Sequence, residues 1–146
     1  MERCNLALAG QDGFEEIDAA PHVPALPILI FRDGLRRSIR TLAIIDTGFD
    51  MGLLLSREAR DMLMIAGGPD RHESLRAGAV EIPCEVFKLR VKILDRWYPT
   101  EGYSPLFPGY ENLLGREITN QLNLCLRGPE KRLYAATRVE QRSSKR

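Results

Sequence analysis

Apolar and polar positions alternate in short runs along most of this chain, and only two stretches turn with a helical period. Ala25 to Phe31 is the first apolar run, and Arg32-Asp33-Gly34 follows it. Asp-Gly favours the positive backbone angles of tight hairpins, so a turn is predicted there. A second strand is predicted from about Arg36 to Ile45. Leu53-Leu54-Leu55 is a short buried run. Ser56 is placed to cap a helix over Arg57 to Met64, with Glu58 in its first turn and Gly67 just past its end. Gly67, Gly68 and Pro69 break the chain, and a polar stretch follows. From Ala79 to Ile93 the period becomes two: Phe87, Leu89, Val91 and Ile93 alternate with Lys88, Arg90 and Lys92, which gives one core face and one solvent face. Asp95 to Asn112 reads as a long connection rich in Pro, Gly and aromatic residues. A short helix over Arg116 to Gln121 puts Ile118 and Leu122 one turn apart on the same face. Leu122, Leu124 and Leu126 then form a closing strand, and Arg127-Gly128-Pro129 turns toward Leu133-Tyr134. The sum is a mostly-β domain of short strands with one or two small helices.

Length and charge narrow the picture without adding chemistry. A chain of 146 residues is one domain. Residues 1–24 are polar and rich in Pro, lack apolar periodicity, and read as a flexible N-terminal arm. The domain proper spans 25–137, and 138–146 is a basic C-terminal tail whose expected state is a solvated one. Lys and Arg total 21 against 20 Asp and Glu, so no net field recruits nucleic acid or a membrane as partner. Cys4, Cys84 and Cys125 are odd in number and widely spaced, which argues for reduced thiols rather than a disulfide framework or zinc site. Leu6 to Ala9 is too short for a signal-peptide core and Leu26 to Phe31 too short to span a bilayer, so a cytoplasmic location is expected. His22 and His72 stand without acid or cysteine partners at ligand spacing, and neither metal nor cofactor is expected. No Gly-x-Ser-x-Gly elbow occurs. Cys84 and Cys125 fall in predicted strands, as packed hydrophobes rather than nucleophiles.

One stretch carries chemistry. Ala43-Ile44-Ile45 delivers the Asp46 carboxylate to a turn, Thr47 and Gly48 follow with little bulk, and Asp50 sits four residues after the first acid. Taken alone, Asp-Thr-Gly is also the composition of a plain turn. Some seventy residues downstream, Asn112-Leu113-Leu114-Gly115-Arg116 supplies a second apolar approach to a glycine and a helix start. Together, in this order, the two segments resemble the retropepsin-like aspartic proteases. The Asp-Thr-Gly-Phe-Asp variant, with its leucine run and short helix, looks like the microbial, non-viral branch of that family. The resemblance covers roughly Ala25 to Tyr134 and leaves the arm and the tail unexplained.

The resemblance implies a small, closed, barrel-like acid-protease fold and a set of roles. Asp46 is the implied catalytic carboxylate. Thr47 is implied to hydrogen-bond across to the partner chain's matching turn, and Gly48 to make room for the substrate backbone. Asp50 either accepts a substrate amide or pairs with Arg116, whose planar fork suits a carboxylate. Two carboxylates held a few ångströms apart cannot both ionise, so they share a proton: one acts as general base on water, the other donates to the scissile carbonyl. This chain carries the motif once, so a homodimer with the site on its two-fold axis is expected, acting on a polypeptide substrate at acidic to mildly acidic pH. Leu122-Leu124-Leu126 is the implied intersubunit strand; the plainer alternative is a core strand. A flap over the cleft is expected at Ala77-Gly78, in preference to Gly67-Gly68, which looks like a helix stop. The aromatic residues of 95–112 are either an apolar wall for the substrate or satellite packing. The expected function is an aspartic endopeptidase; the alternatives are a catalytically weak or inactive peptide-binding or dimerisation module on the same scaffold, and an unrelated small β domain.

Overall fold

The computed structural model describes residues 15–17, 23–127, 129 and 132–136. Along them run β1 (Glu15–Ile17), β2 (Ala25–Phe31), β3 (Ile39–Ile45), β4 (Leu53–Leu54), α1 (Arg57–Met64), β5 (Arg71–Ala77), β6 (Val80–Ile93), β7 (Arg96–Pro105), β8 (Leu113–Leu114), α2 (Arg116–Thr119), β9 (Asn123–Arg127) and β10 (Arg132–Ala136). Seven strands form one sheet in the order β2-β3-β8-β4-β7-β6-β5, and β2 also pairs with β6, which rolls the sheet into a closed barrel. The length of β6 makes closure possible. Its first half pairs with β5, from Ala77 opposite Val80 to Arg71 opposite Val86. Its second half pairs with β2, from Phe31 opposite Arg90 to Leu29 opposite Lys92. The remaining strands make a three-stranded sheet, β1-β10-β9.

Strand alternation decides what enters the barrel. Leu26, Ile28 and Ile30 of β2 and Phe87, Leu89, Val91 and Ile93 of β6 point inward and are essentially buried. Leu133 and Ala135 of β10 join the same cluster, so the small sheet packs on the barrel core. Each large aliphatic side chain buried this way contributes about 1.5–3 kcal/mol. The outward positions line up across strands: Arg40, Leu29, Lys92 and Trp97 share one rung across β3, β2, β6 and β7. Helix α1 forms where its cap predicts. The Ser56 Oγ accepts the Ala59 N–H at 3.2 Å, and Ala59 and Leu63 face the core. Its far end is closed by Arg32, whose guanidinium donates to the carbonyls of Leu63 at 2.9 Å and Gly67 at 2.6 Å, and also to Gly68. A cation on the last carbonyls of a helix meets both their unsatisfied acceptors and the negative end of the dipole. Arg60 pins the same helix to β6 through the buried Glu85 at 2.6 Å.

Several expectations are corrected. The stretch 95–112, read as a connection, contains β7 and turns out of β6 through Leu94-Asp95, with Leu94 at φ 56°. Neither residue announces a two-residue hairpin, and Pro99 and Pro105 mimic strand breakers. Tyr103 explains why those prolines are tolerated: its carbonyl accepts from Leu55, on the side away from β6. By alternation, Pro99 and Pro105 turn their missing N–H to that same side, away from the β6 ladder. The polar run after Pro69 is also a strand, β5, an edge whose side chains are mostly exposed and which exists by pairing with β6 rather than by burial. The second strand starts at Ile39 rather than Arg36, and α2 ends at Thr119 rather than Gln121. Within the segment expected to be an arm, Glu15–Ile17 pairs with β10. The three leucines of the predicted closing strand do not share one fate: Leu122, just before β9, is buried in the core, Leu124 is partly buried against it, and Leu126 is 52% exposed. Cys84 is a free, buried thiol. Among the described residues no helix is long and apolar enough to cross a membrane.

Candidate active site

The site is built where two parallel strands end together. β3 and β8 pair Ile44 with Leu113 and Ile45 with Leu114. Asp46 extends the ladder by one rung, its N–H donating to the Leu114 carbonyl at 3.0 Å. The chain then turns: the Phe49 N–H donates to the Asp46 carbonyl at 3.2 Å, and the Gly48 N–H donates to Asp46 Oδ1 at 2.9 Å. A short carboxylate that accepts from the backbone two residues ahead fixes both its own rotamer and the turn. Gly48 is small for a reason: a Cβ there would stand 3.2 Å from that same oxygen. In the single chain Asp46 is half-buried, while Thr47 and Gly48 face solvent.

The loop that follows Asp46 doubles as the cap of α2. Gly115 donates to Gly52 O at 2.9 Å, Arg116 to Phe49 O at 2.8 Å and Glu117 to Met51 O at 3.4 Å. Helix N-termini leave free N–H groups, and here backbone carbonyls of the 49–52 loop satisfy them in place of a side chain. Such close approach requires glycine at 115. Asp50 and Arg116 are brought together as an ion pair, with side chains 73% and 50% exposed, so the pair orients the turn more than it stabilises the fold.

Ala77 and Gly78 lie at the tip of the β5–β6 hairpin, with Gly78 at φ +62°, the left-handed angle a two-residue turn demands. A Cβ added at Gly78 meets nothing within 4 Å, so in the single chain open space surrounds that position. The base of the hairpin is tied to the Asp46 turn. Leu75 and Ile82 pack into one apolar cluster with Phe49, Met51, Leu54, Leu113, Tyr103 and Cys84. Burial in this cluster pushes the Cys84 thiol up to about 11, opposed weakly by a backbone hydrogen bond from Leu75. An ordinary cysteine titrates near 8.5, so at pH 8 folded Cys84 holds on the order of a hundredfold less thiolate. Native protein treated with iodoacetamide at pH 8 is expected to leave Cys84 unmodified, and denatured protein to alkylate it. Rapid native modification, read by peptide mapping, would contradict this placement.

Asn112 opens the second motif segment, and the motif assigns it no role. It is nine-tenths buried, its Nδ2 donates to Thr41 Oγ1 at 3.0 Å and Leu42 O at 3.3 Å, its Oδ1 accepts from Ser56 N at 2.8 Å, and its own carbonyl accepts from Ile44 N at 2.8 Å. It thus joins β3, β8 and the start of α1 directly behind the site. Its position just before the Leu-Leu-Gly-Arg run was the available signal. The aromatic residues divide: Tyr98 and Tyr103 are core, whereas Trp97 and Phe107 are exposed and Tyr110 lines a cavity. His72 lies on β5, and His22 lies outside the described residues. Among the described residues no group of three or more His, Cys, Asp or Glu is placed to hold a metal ion.

This barrel, with the Asp46 turn laid against the start of α2, has counterparts among solved structures. It is similar to EIAV protease complexed with the inhibitor HBY-793, at TM-score 0.50 and 16% identity over 71% of this chain and 91% of that one. It is similar to a retropepsin-like aspartic protease from Rickettsia conorii, at TM-score 0.54 and 17% identity over 84% of this chain and 93% of that one. No protein-family model matches the chain, and no curated protein sequence does. The fold is therefore retropepsin-like, mostly β with two short helices among the described residues.

Proposed function

We propose that the chain is an aspartic endopeptidase whose catalytic unit is a homodimer. The observation that carries the reading is the Asp46 carboxylate: half-buried at the end of a barrel strand, locked by the Gly48 N–H, on a fold of the kind found in named aspartic proteases. One such carboxylate is half a site. A second copy brings another Asp46 across a two-fold axis, and the pair holds one proton between them. The ionised member takes a proton from a bound water, which attacks the scissile carbonyl; the protonated member donates to the carbonyl oxygen. The proton gained from water then passes to the leaving amine.

The other residues act around that step. Thr47, solvent-facing in one chain, bonds across to the partner's turn. Gly48 leaves the cleft open for the substrate backbone. Asp50, oriented by Arg116, accepts a substrate amide at the cleft's end. The Ala77-Gly78 tip closes over the bound peptide and excludes water. The small sheet supplies the contact between copies, with Leu126 exposed on its edge strand β9 as apolar surface for the second copy to cover.

Incubation with a denatured protein mixture tests this. Cleavage is expected to persist with a metal chelator and a thiol blocker, and to stop with a transition-state isostere of the kind that occupies aspartic-protease dyads. Tight binding of peptides with no cleavage would favour a peptide-binding module on the same scaffold instead.

A further inference from the structure

A cavity of about 350 Å3 opens one rung along β3 from Asp46, and its chemistry names a substrate preference. Ile44 lines it and lies two residues before Asp46. Because Asp46 continues the β3–β8 ladder, both side chains stand on the same side of the strand. The other wall is the approach to β8, with Tyr110, Glu111 and Asn112. Much of the lining is apolar: Val23 and Leu42, 43% and 44% exposed, join Ile44 and the Tyr110 ring.

The polar groups decide what fits. The Asn112 amide is fully engaged with Thr41, Leu42 and Ser56, and the Ser56 Oγ is committed to the α1 cap. Arg57, the cation next to the rim in sequence, is turned to the Leu106 carbonyl at 3.4 Å. What remains is the Tyr110 hydroxyl and the carboxylates of Glu58 and Glu111, the two acids exposed and neither paired with a described residue. Glu58 also favours the positive end of α1, a role that leaves its oxygens open to a ligand. A cavity lined by apolar side chains and by two acceptor-only anions matches a long aliphatic stem with a cationic head.

We infer that this cavity takes a lysine or arginine side chain of the substrate, so that a basic residue at one fixed position directs the cut. The inference rests on the peptidase reading. Charge alone separates lysine from norleucine, which has a similar stem and no ammonium group. Cut sites in a denatured protein mixture, mapped by mass spectrometry, are expected to show Lys or Arg enriched at one position. A peptide with lysine there is expected to have kcat/KM about tenfold above its norleucine counterpart. In the double variant Glu58→Gln, Glu111→Gln that ratio falls to about one. In Glu111→Lys the preference turns toward a glutamate peptide, a gain that structural damage cannot produce. Cleavage with no basic enrichment, or a ratio unchanged in the double variant, overturns the inference and leaves the peptidase standing. No cleavage of any peptide by the unaltered protein overturns the peptidase reading, and this inference with it.

Discussion

Asp46→Asn is expected to abolish peptide turnover, lowering kcat by about a thousandfold or more, while the folded dimer persists. Asparagine has the shape of aspartate and keeps an oxygen that can accept the Gly48 N–H, which in the native turn lies 2.9 Å from Oδ1. What an amide cannot do is hold or release the proton that the proposed mechanism needs. The proposed dimeric site adds a second consequence. When the variant is mixed with unaltered protein and subunits exchange, every mixed pair has lost one carboxylate, so activity falls more steeply than dilution alone requires. Circular dichroism and solution mass unchanged, with peptide cleavage gone, is the expected result. Normal cleavage by Asp46→Asn would mean that the chemistry resides elsewhere.

Gly115→Ala is expected to be the most damaging conservative change, destabilising the domain by about 3 kcal/mol or more. The backbone angles at Gly115 are φ −89° and ψ 178°, open to any residue, so space rather than conformation is the obstacle. An added Cβ would come within 2.0 Å of Met51 O and 2.8 Å of Phe49 O, both main-chain atoms with no rotamer to change. Relief requires moving the 49–52 loop away from α2, which breaks the bonds Gly115–Gly52 and Arg116–Phe49 that hold Asp46 from behind. Activity should therefore fall along with melting temperature. Gly68→Ala is the matched control: a Cβ there meets nothing within 4 Å, and a change under about 0.5 kcal/mol is expected. Equal melting temperatures for the two variants would show that α2 does not brace the Asp46 turn.

Much of this architecture was legible because it depends on local rules. β2 and α1 fall at the residues their patterns predict, since an apolar run with a following Asp-Gly turn and a serine N-cap act within a few residues. The hairpin tip at Gly78 was readable for the same reason. Where the sequence misled, the deciding contact was distant. β5 carries almost no apolar alternation and is a strand because β6 lies beside it. β7 hides behind two prolines that a ladder tolerates only on one side. Arg32, which reads as a turn residue, is instead the cap of a helix thirty residues on. The candidate site divides in the same way. Asp46, Thr47 and Gly48 stand out as a motif, whereas Asn112 and the Glu58–Glu111 rim exist only once β3, α1 and the approach to β8 have met.

The measurement that bears most directly on this account is the separation of the two Asp46 carboxylates in a crystal structure of the inhibitor-bound protein. A symmetric pair is predicted, with inner oxygens about 3 Å apart, close enough that only one of the two can be charged. A monomer, or a dimer whose Asp46 side chains lie on separate surfaces, would contradict it.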